Sequence, residues 1–227
     1  TGTPRYVKLQ SSNVAGDNLA NITINADTNE IIYAVGYDIA SNYAGAVTGT
    51  FSLSAGFGVF VGSSNNVTTA VINLTNSALS GGVISFTGTG ISTNVTNVSG
   101  SVGAVTSIEI EDNIGGGNEA GDKAIVTTQV ITQYLVGYDK YGYYVSEVSG
   151  QWRITGGVGV VGSNTAVSNS ITGTVAGSGT LLVSNGSMQD SINLTVSGNP
   201  NDLTYVKVRD ASGNNGNVIT SINVDAE

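Results

Sequence analysis

Apolar and polar residues alternate along short stretches of the chain, and turns rich in glycine, asparagine and serine separate these stretches. The alternation is clearest at residues 6–10, 107–111 and 205–209. A period of two with one apolar face predicts β-strands that are buried on one side. Residues that favour helices, such as glutamate, lysine and glutamine, are few. The pattern therefore predicts an all-β chain built as a sandwich or a barrel.

The chain also repeats its own pattern. Residues 33–38, Tyr-Ala-Val-Gly-Tyr-Asp, return as residues 134–139, Tyr-Leu-Val-Gly-Tyr-Asp. Phe51 and Trp152 fall at matching positions of the two copies, and residues 205–208 repeat the opening strand of the chain. A fixed internal period is typical of tandem arrays. Phe51 and Trp152 are expected in the cores, each on a central strand of its copy.

We therefore predict two complete modules, residues 1–103 and residues 104–201, and the opening strands of a third at residues 202–227. Each complete module contains about seven or eight strand patterns and is long enough to bury its own core. Short joints between the modules favour a semi-stiff rod. Two interpretations of residues 202–227 remain open. They begin a further repeat of a longer array, or they donate strands to the next subunit and so build a fibre.

The opening strands of the three copies carry different charges. Lys8 of the first copy corresponds to Glu109 of the second and to Lys207 of the third. Opposite charges on facing strands attract, so unlike copies can pair. The pattern favours self-association with identical subunits or adjacent repeats, and neutral variation of a solvent-exposed face is the alternative.

Composition argues against several classes of function. The net charge is −9 and the 7 basic residues are scattered, so the chain lacks the basic patch that nucleic-acid binding requires. Histidine and cysteine are absent, which removes the usual catalytic bases, disulfides and thiolate metal sites. We therefore predict no enzymatic activity. No apolar run reaches the ~20 residues of a membrane helix, so no membrane span is expected in this segment.

Several short motifs are typical of one kind of module. Residues 137–139, Gly-Tyr-Asp, lead into a turn at residues 139–142, and an aromatic strand pattern follows at residues 148–152. Residues 176–180, Ala-Gly-Ser-Gly-Thr, open a later strand, where the first copy has Ser-Gly-Gly-Val at residues 80–83. These features resemble the bacterial immunoglobulin-like (Ig-like) tandem repeats of cell-surface proteins, of the invasin/intimin-like and group 2 Ig-like types. The resemblance implies two tandem Ig-like β-sandwiches in an extracellular array, and it implies no catalytic residue.

Acidic residues cluster near the start of the second module. A calcium site is one interpretation, because hard cations take several oxygen ligands. The candidate ligands are Glu109, Glu111, Asp112 and Asp122. Glu109 and Glu111 fall on the same face of one predicted strand. The spacing matches neither the EF-hand nor the nonapeptide calcium pattern, and a solvated acidic strand face is the other interpretation.

Four tyrosines surround one predicted turn of the second module: Tyr138, Tyr141, Tyr143 and Tyr144. Exposed aromatic rings on the loops of a β-sandwich can stack on sugars, so these residues are candidates for binding surface glycans. The alternative is that they pack against the adjacent module or line the end of the sandwich.

Asn-x-Ser/Thr triplets mark candidate glycosylation sites in a surface protein. They occur at Asn21, Asn66, Asn73, Asn94, Asn97, Asn185 and Asn193. A chain so rich in asparagine, serine and threonine also contains many such triplets by chance.

These observations predict a non-enzymatic structural module of an extracellular prokaryotic surface protein. It would serve as a stalk, surface-layer or filament segment, and strand addition is one way in which it could polymerise. The alternative is an adhesin or carbohydrate-binding module that acts through the aromatic loops. No cofactor is expected except calcium, and the expected location is the cell surface.

Overall fold

The computed structural model describes residues 2–76, 81–91, 94–199, 208–210 and 216–220. The regular structure of these residues consists of strands, without a helix, so the predicted all-β class is confirmed. The first copy forms β1 (Tyr6–Gln10), β2 (Asn21–Asn25), β3 (Asn29–Tyr37), β4 (Tyr43–Ala46), β5 (Gly49–Leu53), β6 (Gly58–Phe60), β7 (Thr69–Leu74), β8 (Gly82–Gly88) and β9 (Asn94–Ser101). The second copy forms β10 (Ser107–Glu111), β11 (Lys123–Val126), β12 (Val130–Tyr138), β13 (Tyr144–Glu147), β14 (Gly150–Ile154), β15 (Gly159–Val161), β16 (Thr165–Ala166), β17 (Ser168–Gly173), β18 (Gly177–Asn185) and β19 (Met188–Ser197).

Strand pairing gives each copy two sheets. One sheet of the first copy has the order β1-β3-β7-β6, with β4 beside β3, and the other has the order β2-β9-β8-β5. The second copy has β10-β12-β17-β15, with β13 beside β12, and β11-β19-β18-β14-β16. When β2 and β4 are set aside as additional strands, the other seven strands of the first copy correspond to immunoglobulin strands A to G in chain order: β1, β3, β5, β6, β7, β8 and β9. Their sheets then have the orders A-B-E-D and C-F-G, which is the arrangement of the immunoglobulin sandwich. The predicted Ig-like sandwich is confirmed by this topology. We call strands β1–β9 the first sandwich and strands β10–β19 the second sandwich.

Each sandwich buries its own cluster of apolar side chains. The first cluster includes Leu9 and Phe51, and the second includes Leu135 and Trp152. Phe51 is 1% exposed and Trp152 is 2% exposed, so their predicted core positions are confirmed. The expected central strand is wrong for Phe51, because β5 lies at the edge of its sheet. Trp152 lies on β14, which has β18 on one side and the additional short strand β16 on the other.

The strand pairings of the described residues stay within residues 6–101 or within residues 107–197. The module boundaries at residues 103 and 201 remain a prediction. In the predicted third module, Arg209 and Val218 form an isolated antiparallel bridge. Residues 202–207, 211–215 and 221–227 lie outside the described residues, and with them the strand donation that the sequence left open.

Candidate functional site

Three carboxylates share the outer face of β10, β12 and β13. Glu109 on β10 lies opposite Val136 on β12, and Glu147 on β13 lies opposite the same valine. Directly opposed residues of antiparallel strands point to the same side of the sheet. Glu111 lies two positions along from Glu109 and therefore shares that side. We call this surface, with Glu109, Glu111 and Glu147, the acidic face.

The loop of residues 112–118 lies against the acidic face. Its main-chain N–H at Gly115 donates a hydrogen bond of 3.0 Å to the Glu147 carboxylate. Gly116 has a φ of +70°, and a Cβ at this position would lie 2.7 Å from the Cβ of Tyr144. Glycine is needed here because a larger residue would meet both backbone strain and a collision. The glycine run therefore lets the loop approach the sheet closely.

Glu111 is 0% exposed, although strand alternation places it on the outer side of the sheet. The hydroxyl of Tyr138 donates a hydrogen bond to Oε1 of Glu111, while Oε2 is buried without a hydrogen-bond partner. A Cβ added at Gly117 would lie 3.6 Å from that Oε2 atom, which places the free oxygen beneath the loop. The interpretation as a solvated acidic strand face therefore does not hold for Glu111. Glu109, on the same face, is half-buried.

The other two candidate calcium ligands make separate contacts. Asp112 accepts hydrogen bonds from Lys123 at 2.7 Å and from Gln133 at 2.9 Å. Asp122 accepts hydrogen bonds from the main-chain and side-chain amides of Asn193, at 2.9 Å and 3.0 Å. In the part of the chain that the structure describes, no group of three or more acidic, histidine or cysteine side chains is placed to hold a metal. The structure thus brings Glu109 and Glu111 to one face without Asp112 and Asp122, and calcium binding stays a prediction.

The negative charges of the acidic face act on one another. Partial burial raises the pKa of Glu109 above its ordinary value of 4.5. The charges of Glu119, Glu111 and Asp190 raise the same pKa further. The repulsion among these carboxylates makes the surface a favourable place for a positive charge.

The four candidate sugar-binding tyrosines have different surroundings. Tyr138 is buried, and Tyr143 and Tyr144 are half-buried. Tyr141 packs against the core of the first sandwich, and its hydroxyl donates a hydrogen bond to the carbonyl of Leu74. Packing against the adjacent module, the alternative interpretation, therefore describes Tyr141. Sugar binding by the four residues stays a prediction.

The two sandwiches contact each other around Asp27, in the turn between β2 and β3. One oxygen of Asp27 accepts a hydrogen bond of 2.5 Å from the main-chain N–H of Ala104. The other lies 3.9 Å from the Lys140 ammonium. In the second sandwich, Asp139 accepts a hydrogen bond of 3.2 Å from the N–H of Gly103. We call these contacts, together with that of Tyr141, the joint; its residues are Asp27, Leu74, Gly103, Ala104, Asp139, Lys140 and Tyr141.

The candidate glycosylation sites differ in exposure. The exposed asparagines are Asn21, Asn66, Asn97 and Asn193, and the half-buried ones are Asn73, Asn94 and Asn185. The side-chain amide of Asn94 donates to the carbonyl of Val7 at 2.9 Å, and that of Asn185 donates to Ser149 at 2.9 Å. Glycosylation modifies this nitrogen, but the amides of the exposed Asn97 and Asn193 also donate, to Asn21 at 3.2 Å and to Asp122 at 3.0 Å. Burial, and not hydrogen bonding, therefore separates the half-buried sites from the exposed ones. Modification at all of these positions stays a prediction.

The sequence reasoning missed a groove on the outer face of β14 and β18. It has a volume of about 530 Å³, and its lining includes Gln151, Arg153, Thr165, Leu182 and Gln189. Alternation along β14 marks Gln151 and Arg153 as outward-facing, so part of the signal is present in the sequence. The groove also depends on β16, which pairs with the edge of β14. Strand alternation alone does not predict this pairing.

Replacing Asp112 with asparagine tests its ion pair with Lys123. The hydrogen bonds from Lys123 and then Gln133 lower the pKa of Asp112 below its ordinary value of 3.8. A lowered folded-state pKa stabilises the fold above the unfolded-state pKa, and this stabilisation is lost as the pH falls through the folded-state pKa. The carboxylate is 49% exposed, so the expected loss of unfolding free energy near neutral pH is at most about 1 kcal/mol.

Urea titrations of wild type and Asp112→Asn over a range of pH values measure this difference. The two proteins should converge in stability as the solution becomes acidic enough to protonate Asp112. If the stability difference between wild type and Asp112→Asn stays constant even at the lowest pH measured, the charge of Asp112 does not stabilise the fold as described.

The strand topology places the chain in the class of Ig-like β-sandwich proteins. No family model matches the sequence, and no curated protein matches it either. Among the solved structures, domains 1–6 of the surface-layer protein SbsC share 18% identity at a TM-score of 0.39, covering 97% of this chain and 33% of that one. The Escherichia coli adhesin FdeC shares 16% identity at a TM-score of 0.42, covering 84% of this chain and 62% of that one. Human protocadherin-24 EC1-2 shares 13% identity at a TM-score of 0.41, covering 87% of this chain and 100% of that one.

This chain therefore spans 33% of the surface-layer chain to which it is similar. Similarities of this size carry no argument about function, and they extend from a bacterial adhesin to a human protein. Across the described ranges there is no helix long and apolar enough to cross a membrane.

Proposed function

We propose that this chain is a non-enzymatic structural segment of an extracellular prokaryotic surface protein. Its two sandwiches, at residues 1–103 and 104–201, would act as rigid spacers in a stalk, surface layer or filament. Identical subunits or adjacent repeats would be the partners. The observation that carries the proposal is the joint, which ties two separately cored sandwiches to each other in one orientation.

The joint supports a stiff connection for two physical reasons. β9 ends at Ser101 and β10 begins at Ser107, so only a short segment connects the sandwiches and its freedom to swing is small. The ring of Tyr141 packs on the first core, and the carboxylate of Asp27 binds the connecting segment at Ala104. Rotation about the connection would break both contacts.

The alternative function, an adhesin or carbohydrate-binding module, has less support. The hydroxyls of Tyr138 and Tyr141 donate hydrogen bonds inside the chain. Tyr138 is buried, and Tyr141 packs on the core of the first sandwich. A ring that is already packed has less face to offer to a sugar. The groove beside Gln151 and Arg153 is a separate surface and lacks an exposed aromatic ring in its described lining.

Replacing Tyr141 with alanine tests the stiff connection. The variant should lose the packing on the first core, so the angle between the sandwiches should vary more widely in solution. Small-angle X-ray scattering should show a single extended shape for the wild type and a broader distribution of overall dimensions for Tyr141→Ala. Tyr141→Phe is the matched control, because it keeps the ring and loses only a hydrogen bond of about 1 kcal/mol.

A wild-type scattering curve that already requires many inter-sandwich angles would contradict the spacer function.

Immunogold labelling of intact source cells tests the proposed location. Label is expected without permeabilisation, and label only after permeabilisation would contradict a surface role.

A further inference from the structure

The same main-chain hydrogen bond joins equivalent positions of all three copies. The main-chain N–H donates to a carbonyl ten or eleven residues earlier: Leu19 to Leu9 at 2.8 Å, Ala120 to Ile110 at 2.7 Å and Ile219 to Val208 at 2.9 Å. The residues that follow these acceptors are therefore equivalent, and they are Gln10, Glu111 and Arg209. The glycines three positions before the donors are also equivalent, and they are Gly16, Gly117 and Gly216.

In the first copy, side-chain donors surround the carbonyl of this glycine. The carbonyl of Gly16 accepts hydrogen bonds from Lys8 at 3.2 Å, from Gln10 at 2.5 Å and from the Tyr37 hydroxyl at 2.8 Å. The Lys8 ammonium also lies 4.5 Å from the centre of the Tyr37 ring. A positive charge therefore lies beside this loop carbonyl.

The third copy places a positive charge at the same carbonyl by a different residue. The guanidinium of Arg209 donates a hydrogen bond to the carbonyl of Gly216, which is itself buried. Two copies thus satisfy the glycine carbonyl with a cationic side chain.

In the second copy the corresponding side chains cannot do this. Glu109 and Glu111 replace Lys8 and Gln10, and an ionised carboxylate has no proton to donate. The hydroxyl of Tyr138 donates to Glu111 instead. The second oxygen of Glu111 is fully buried without a partner, and a buried carboxylate oxygen left unpaired is costly.

We propose that the second sandwich binds a calcium ion beneath the loop of residues 112–118, at the position that the Lys8 ammonium occupies in the first sandwich. Oε2 of Glu111 and the carbonyl of Gly117 would be ligands, Glu109 would supply a second carboxylate, and water would complete the shell. Calcium accepts this mixture of carboxylate, carbonyl and water oxygens in flexible geometry. Glu147 adds negative charge to the same face, and its Oε1 atom accepts hydrogen bonds from Gly115 and Tyr144.

The proposal does not depend on the spacer function, and it narrows the predicted ligand set. Asp112 and Asp122 are excluded from the set of calcium ligands because each already accepts hydrogen bonds from other residues. The free oxygen of Glu111 is the observation that distinguishes the site from a simple cluster of acidic residues.

Calcium titration of the full chain tests the site. Protein freed of metal with a chelator should bind one calcium ion per chain by calorimetry. Calcium at about 100 times its dissociation constant should raise the melting temperature by at least about 5 °C, measured through the fluorescence of the single tryptophan, Trp152, in the same sandwich. No bound ion and no shift would overturn the proposal.

Glu111→Gln supplies the matched variant, because the first sandwich already holds glutamine at this position. It should fold and lose the calcium response, while Glu30→Gln in the first sandwich should keep it. An unchanged response in Glu111→Gln would overturn the site, as would an equal shift of wild type by sodium chloride at the same ionic strength. If Glu111→Gln does not fold, Glu109→Gln replaces it, with calcium affinity expected to fall at least about tenfold; an unchanged affinity would overturn the proposal.

Discussion

The Trp152→Ala variant is expected to lose about 3–5 kcal/mol of unfolding free energy from the second sandwich. Trp152 is 2% exposed, and its indole N–H donates a hydrogen bond of 2.8 Å to the carbonyl of Ala166. Alanine would leave a large cavity between the sheets and an acceptor without its donor. The first sandwich has a separate core, so its own unfolding transition should move little.

Differential scanning calorimetry measures both transitions in one experiment. Trp152→Phe is the control, because the first sandwich holds Phe51 at the matching position, and it should lose much less than the alanine variant. A Trp152→Ala protein in which both transitions shift together by the full amount would contradict separate cores.

The Gly179→Ala variant is expected to destabilise the second sandwich by about 1–3 kcal/mol or more. A Cβ at this position would lie 2.2 Å from the carbonyl oxygen of Thr155 and 2.7 Å from a methyl group of Val158. The nearer atom belongs to the backbone of a paired segment, since the Thr155 N–H donates to the carbonyl of Thr180 at 2.9 Å. Relief of the collision therefore requires movement of the sheet itself.

Gly121→Ala is the matched control, because no atom lies within 4 Å of a Cβ added there and its φ does not require glycine. This control should change stability by less than about 0.5 kcal/mol. Urea unfolding followed by the fluorescence of Trp152 reports on the sandwich that holds both glycines. If the two variants have equal unfolding free energies, the close approach of the Thr155 carbonyl to Gly179 does not affect stability, which would contradict the prediction.

The sequence pattern predicted the fold class well because the relevant signal is local. Alternation at residues 6–10 and 107–111 identified opening strands whose inward residues are buried in the structure. The repeat identified Phe51 and Trp152 as equivalent core residues, and both are buried. Alternation does not give the order of strands in a sheet, and for that reason Phe51 was expected on a central strand.

The surroundings of the candidate site could be predicted only in part. The pattern placed Glu109 and Glu111 on one face, and the register confirms this. It could not show that a glycine loop covers Glu111, because that contact depends on where the chain goes after the strand. The sequence does contain one relevant signal. Both copies hold a polar residue at the end of the opening strand, Gln10 or Glu111, and a tyrosine at equivalent positions, Tyr37 or Tyr138.

The contact of Tyr141 with the first sandwich is a similar case. Four tyrosines near one turn fit an exposed binding loop and a packed joint equally well. The deciding fact is the hydrogen bond from Tyr141 to the carbonyl of Leu74, a residue far away in the sequence. Contacts of this kind between distant segments are not encoded in local periodicity.

The central claim is that two sandwiches with independent cores follow each other along one chain and extend it mechanically. Single-molecule pulling from the two ends of the full chain tests this claim most directly. We expect two separate unfolding events, each releasing roughly 300 Å, since about 100 residues extend by about 3.5 Å each less the length of the folded sandwich. A single event that releases the whole length at once would contradict it.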